Sequence, residues 1–182
     1  MPDEIPLAAG RVAVLLLACL ALAVTPGRAQ EEDDASEPPR GVDCSSPDHR
    51  AFDFWLGEWD VYDPKGEKVG ENTITVIEDG CALRERWVSS AGNTGRSLNY
   101  YDASTGKWYQ TWVASSGRPL RLVGGREGDA MVMGMETPAI HHRITWTPNE
   151  DGSVRQHWEI SRDGGESWET GFDGEYRPRA AE

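Results

Sequence analysis

A few residues in this chain have types and spacings that could do chemistry. Between 81 and 90, Leu83, Glu85 and Trp87 share one face of an extended strand, while Arg84 and Arg86 take the other. The arginine face belongs in water, so Glu85 sits among apolar neighbours, where a carboxyl group must find partners or keep its proton. The same alternation groups Ser97 with Asn99, and Trp108 with Gln110 and Trp112. It also groups Ile140, His142, Ile144 and Trp146, and Val154, Gln156, Trp158 and Ile160. This inward set is aromatic and aliphatic, with sparse polar groups at Glu85, Asn99, Gln110, His142 and Gln156. That is the composition of a small-molecule cavity. It is equally the composition of a packed core crossed by a hydrogen-bonded network.

Glu85 with His142 would make an acid–base couple of the kind a barrel isomerase or hydratase needs. The chain holds no G-x-S-x-G and no H-E-x-x-H, so no residue is assigned a catalytic role. His142 is also the one inward histidine able to serve as an axial haem ligand, since His141 and His157 project outward. Met131-x-Met133-x-Met135, followed by His141-His142, gathers soft ligands that suit Cu(I). Adjacent histidines face opposite ways on a strand, however, and methionine also fills irregular cores. No spacing fits zinc or calcium. The expectation is no metal, no cofactor, and a small apolar or amphipathic ligand held by Glu85, Trp87, Asn99, Gln110, Trp112, Met133, His142, Gln156 and Trp158. The competing reading is a rigid structural or interaction module.

The elements that must position these residues are strands. The pattern predicts strands at 58–62, 69–77, 81–90, 96–102, 107–114, 119–124, 130–136, 139–147, 153–161 and 167–177. Between them stand Asp63-Pro64-Lys65-Gly66, Glu78-Asp79-Gly80, Ser104-Thr105-Gly106, Glu127-Gly128-Asp129, Glu150-Asp151-Gly152 and Asp163-Gly164-Gly165. These are the turn residues of antiparallel hairpins. With no helical stretch among them, the expected fold is all-β, a single antiparallel meander closing into a roughly ten-stranded barrel. Ser46 as N-cap and Pro47 behind it predict a short N-terminal helix to Leu56, with Phe52, Trp55 and Leu56 on one face. Ser161-Arg162-Asp163-Gly164-Gly165-Glu166-Ser167-Trp168 has the form of an Asp-box, read here as a single turn staple.

Phe52-Asp53-Phe54-Trp55-Leu56-Gly57-Glu58-Trp59-Asp60-Val61 is the most specific string in the chain. Gly57-x-Trp59 at the start of the first strand resembles the G-x-W signature of lipocalins and other calycins. Residues 44–177 as a whole resemble an uncharacterised family, a domain of unknown function, of exported bacterial proteins with a lipocalin-like barrel. Tyr101-Asp102, Trp108-x-Gln110-x-Trp112-Val113 and Asp151-Gly152-Ser153-Val154-Arg155-Gln156-x-Trp158 extend the likeness. It implies a barrel with Trp59 plugging one end, and it implies neither an activity nor catalytic residues.

Arg11 precedes an apolar run from Val12 to Val24, then Thr25-Pro26-Gly27-Arg28-Ala29. The run is shorter than the ~20 residues that span a bilayer and suits a signal peptide over 1–29. Leu16-Leu17-Ala18-Cys19 leaves lipid anchoring through Cys19 as the alternative. Residues 30–43, rich in Glu and Asp around Pro38-Pro39, read as an acidic disordered linker, with the barrel domain at 44–178. A net charge of −13 argues against nucleic acid as a partner and against anionic membrane surfaces. After removal of a signal peptide the cysteines are Cys44 and Cys81, expected to pair in a secreted or periplasmic protein. Two separate thiols are the alternative. Oligomeric state is left open by the sequence.

Overall fold

The computed structural model describes residues 43–180; the expected signal segment and all of the linker except Asp43 lie outside the described residues. Ten strands follow one another: β1 (Gly57–Tyr62), β2 (Lys68–Ile77), β3 (Ala82–Ser89), β4 (Thr94–Asp102) and β5 (Lys107–Ala114) form the first half. β6 (Pro119–Glu127), β7 (Ala130–Glu136), β8 (His141–Pro148), β9 (Val154–Ser161) and β10 (Glu169–Pro178) form the second. Each strand pairs antiparallel with the next, and β1 pairs with β10 to close the barrel. All ten expected strands are present. Closure leaves no strand edge unpaired, which removes the usual hazard of edge-to-edge association.

Turn chemistry sets the register. Between β1 and β2 the Asp63 carboxylate accepts the backbone N–H of Lys65 and of Glu67, both at 2.9 Å, and Gly66 takes φ +83°, which a side chain would strain. The Asp-box turn behaves likewise at the β9–β10 connection. Ser161 Oγ and Ser167 N donate to Asp163 at 2.7 and 2.9 Å, and Arg143 lies 4.2 Å above the Trp168 ring.

The helix expected up to Leu56 is instead a series of turns ending in one 3-10 turn, Asp53–Trp55. Ser46 does cap the segment, its Oγ accepting from His49 N at 3.4 Å. After one i→i−4 bond, Arg50 N to Ser46 O, the bonds tighten to i→i−3 through Asp53, Trp55 and Leu56. Three residues per turn brings positions i and i+3 into line. Phe52 therefore stacks on Trp55 at 4.9 Å and 15°, and both are fully buried. Trp108 Nε1 donates to Asp48 O at 3.0 Å, holding the segment on the barrel from one side. The Cys44–Cys81 disulfide, with S–S 2.03 Å, holds it from the other.

Candidate functional site

The lumen has two unlike halves. Toward one end of the barrel lie Trp59, Trp108, Met131, Trp146, Val154 and Tyr176, all buried, with Phe52 and Trp55 pressed among them. Phe52 meets Trp108 and Trp146 edge-on at 5.7 and 5.3 Å, and Trp59 Nε1 donates to Trp55 O at 3.0 Å. This half is a plug of close-packed rings. The other half contains a cavity of about 200 Å³, lined by residues including Glu85, Gln110, Gln156, Trp87, Trp112 and Trp158.

The cavity is open because two large rings lie flat against its wall. A Cβ built on Gly95 would meet the Trp112 indole at 2.0 Å, and one on Gly70 would meet the Trp87 ring at 2.5 Å. Each inward glycine thus leaves a hollow that the indole of the neighbouring strand fills. Phe172 meets Trp87 edge-on at 6.1 Å across the β10 side.

One wall is polar. On β2 to β5 a ladder of side-chain hydrogen bonds crosses the strands. Asn72 Nδ2 donates to Glu85 Oε1 at 2.8 Å, and Ser97 Oγ donates to Glu85 Oε2 at 2.6 Å. Asn99 Nδ2 donates to Ser97 Oγ at 2.9 Å, and Gln110 Nε2 donates to Asn99 Oδ1 at 2.7 Å. All five side chains are buried, and none of them is cationic. Burial pushes the Glu85 carboxyl up to about 7, against the smaller opposing pull of the Ser97 and Asn72 hydrogen bonds. Opposite, Ile144, Trp146, Trp158 and Phe172 present an apolar face. Its polar exceptions are Gln156 and Tyr176, whose O–H donates to Gln156 Oε1. Burial, and then the charge of Glu85, raises the Tyr176 phenol well above its ordinary value and keeps it a donor.

Six of the nine residues picked from the sequence line this cavity: Glu85, Trp87, Gln110, Trp112, Gln156 and Trp158. Three do not. Asn99 stands behind the lining, bonded to Gln110, to Ser97 and to the Leu83 carbonyl. Met133 is fully buried in the core, in register with Gly124 on one side and Ile144 on the other. His142 is turned toward Trp158, whose Nε1 donates to its Nδ1 at 3.0 Å. Burial and then Arg162 hold the His142 pKa below its ordinary value, which favours the neutral ring that an acceptor nitrogen requires. His142 therefore positions Trp158. No direct contact joins it to Glu85, whose partners are Asn72 and Ser97. Of the methionine row, Met131 and Met133 are core residues, while Met135 faces His142 across the strands.

Sequence reasoning missed Leu120, Gly171, Phe172 and Tyr176 as lining residues. The signal for two of them was present: Phe172, Gly174 and Tyr176 alternate with the charged Asp173 and Glu175. Asn72, the first rung of the ladder, carries a weaker signal, being one polar side chain between Gly70 and Ile74.

No group of three or more His, Cys, Asp or Glu is placed to hold a metal among the described residues. No helix among them is long and apolar enough to cross a membrane. The chain matches no family model, and no curated protein is similar to it.

Proposed function

We propose that the barrel binds one small, largely apolar molecule in its half-open lumen, in an exported protein of lipocalin-like architecture. The observation that carries this reading is the asymmetry of the lumen. One half is filled with rings, while the other keeps about 200 Å³ between an aromatic wall and a carboxamide–carboxyl wall. A packed core would account for the polar ladder. It would not account for indoles laid against glycines and away from the barrel axis. At ~30 Å³ per water the space suits a molecule on the order of ten non-hydrogen atoms. Trp87, Trp112, Trp158 and Phe172 would enclose its apolar body, and Glu85, Gln110 and Gln156 would orient its polar end. The Cys44–Cys81 bridge suits an oxidising compartment, in keeping with a signal peptide at 1–29.

The test is calorimetric titration with 1-naphthol, an apolar bicycle with one hydroxyl. One site per chain is expected, weakened about tenfold by Trp112→Ala and by Glu85→Gln, or ~1.4 kcal/mol each. Affinity unchanged in both variants would rule out this cavity as the site.

A further inference from the structure

The arginines among the described residues fall into two groups. Arg50, Arg126, Arg143, Arg155, Arg162, Arg177 and Arg179 each pair with a carboxylate within 4.0 Å. Arg84, Arg86, Arg96, Arg118 and Arg121 have no ion pair among the described residues, and all five are exposed. They are also neighbours. Arg84 and Arg86 lie on β3, Arg96 on β4 and Arg121 on β6, with Arg118 in the turn between β5 and β6. Arg86 and Arg96 stand directly opposite each other in the β3–β4 register, a like-charge pairing that works against the sheet.

The apolar side chains that the barrel leaves in water concentrate on the same face. Leu98 is 44 % exposed, Val113 47 %, Val123 39 % and Tyr100 37 %, and Tyr100 stacks on Tyr109 at 5.5 Å. The register runs Arg84–Leu98–Thr111–Arg121 in one row and Ala82–Tyr100–Tyr109–Val123 in the next. Thus β4 and β5 carry an apolar crest, with Arg96 at one end of it on β4 and Arg84, Arg86 and Arg121 flanking it on β3 and β6. A convex wall of this kind touches a plane along its crest. Its flanks, three strand spacings or ~14 Å apart, then meet the same plane from either side.

We propose that the β3–β6 outer wall docks on an anionic lipid surface, with Leu98, Val113, Tyr100 and Tyr109 entering the interface and the flanking arginines on the lipid phosphates. Charge complementarity sets the sign of the surface. The aliphatic crest selects lipid, because a nucleic acid or an acidic polypeptide has little use for Leu98 and Val113 at the centre of the contact. The net charge of −13 does not oppose this locally, since charges on the far wall are screened beyond ~8 Å at physiological salt. Trp87 and Trp112, next in sequence to Arg86 and Val113, line the cavity on the inner side of the same wall.

The experiment is co-sedimentation of the protein purified from an exporting host with phosphatidylcholine vesicles containing or lacking phosphatidylglycerol. Binding is expected to the anionic vesicles and to weaken with salt. Arg84→Gln with Arg121→Gln should weaken it ~25-fold, at about fivefold per arginine. Leu98→Ser with Val113→Ser, exposed changes that leave the fold intact, should also weaken it. Arg155→Gln with Arg177→Gln, on β9 and β10, should leave it unchanged. Equal binding to neutral vesicles would overturn the proposal, as would insensitivity to either crest or flank pair. Retention on poly-glutamate or duplex DNA in place of vesicles would overturn it too, in favour of a soluble acidic partner. None of these readouts depends on a ligand in the cavity.

Discussion

Glu85 is a carboxyl group with its proton affinity raised by burial, and that has a consequence for stability. Its pKa stands near 7 in the folded barrel against an ordinary 4.5. Below pH 4.5 it is protonated in both folded and unfolded chains and costs nothing. Between 4.5 and 7 the folded state holds the proton more tightly, so stability falls as pH rises through that window and levels off above it. The interval corresponds to about 3 kcal/mol. Other groups titrate nearby. His142, with its pKa lowered, makes stability rise with pH up to ordinary histidine values, and Asp53, with its pKa raised by burial, acts in the same sense as Glu85. Both contributions cancel when wild type is compared with Glu85→Gln. A glutamine keeps the Asn72 hydrogen bond but asks Ser97 to turn from donor to acceptor, at ~1 kcal/mol. In urea denaturation followed by tryptophan fluorescence, Glu85→Gln should be about 1 kcal/mol less stable at pH 4.5. It should be about 2 kcal/mol more stable at pH 8. A stability difference that does not change between those pH values would refute the placement of Glu85 as a buried acid without a cation.

Replacing Cys44 and Cys81 by serine opens a loop of sequence separation 37 and should lower stability by ~3–4 kcal/mol, read as a shift in urea midpoint. Gly95→Ala drives a methyl group into the Trp112 indole, so it should cost ~1–3 kcal/mol and push that ring into the lumen. The loss of 1-naphthol binding should then exceed what the loss of stability accounts for.

All ten strands were legible because alternation and turn residues agree along the whole chain. Asp63 and Gly66, and Asp163 with Ser161 and Ser167, specify their turns by chemistry that is local in sequence. Parity likewise placed Glu85, Gln110, Trp112, Gln156 and Trp158 inward, since a strand side chain has two directions to choose from. What parity cannot resolve is depth along the barrel axis. Met133 and Trp112 both point inward, yet one is buried core and the other lines the open half. Nor could it separate Asn99, which stands behind the lining, from its cross-strand partner Gln110, which reaches the cavity. The N-terminal segment failed for another reason. Its cap and apolar spacing fit an α-helix, but Phe52 and Trp55 stack through a 3-10 turn once Trp108 and the disulfide hold the segment to the barrel. The arginine face was hidden by the net charge, which averages over a segregation that only strand register reveals.

The most direct measurement is native mass spectrometry of protein purified gently from an exporting host, followed by denaturing extraction. The binding-barrel reading leads us to expect one small organic mass per chain, released on denaturation and diminished in Trp112→Ala. A bare polypeptide mass, together with no saturable uptake of 1-naphthol, would contradict it and leave the barrel a rigid body whose outer wall is the working surface.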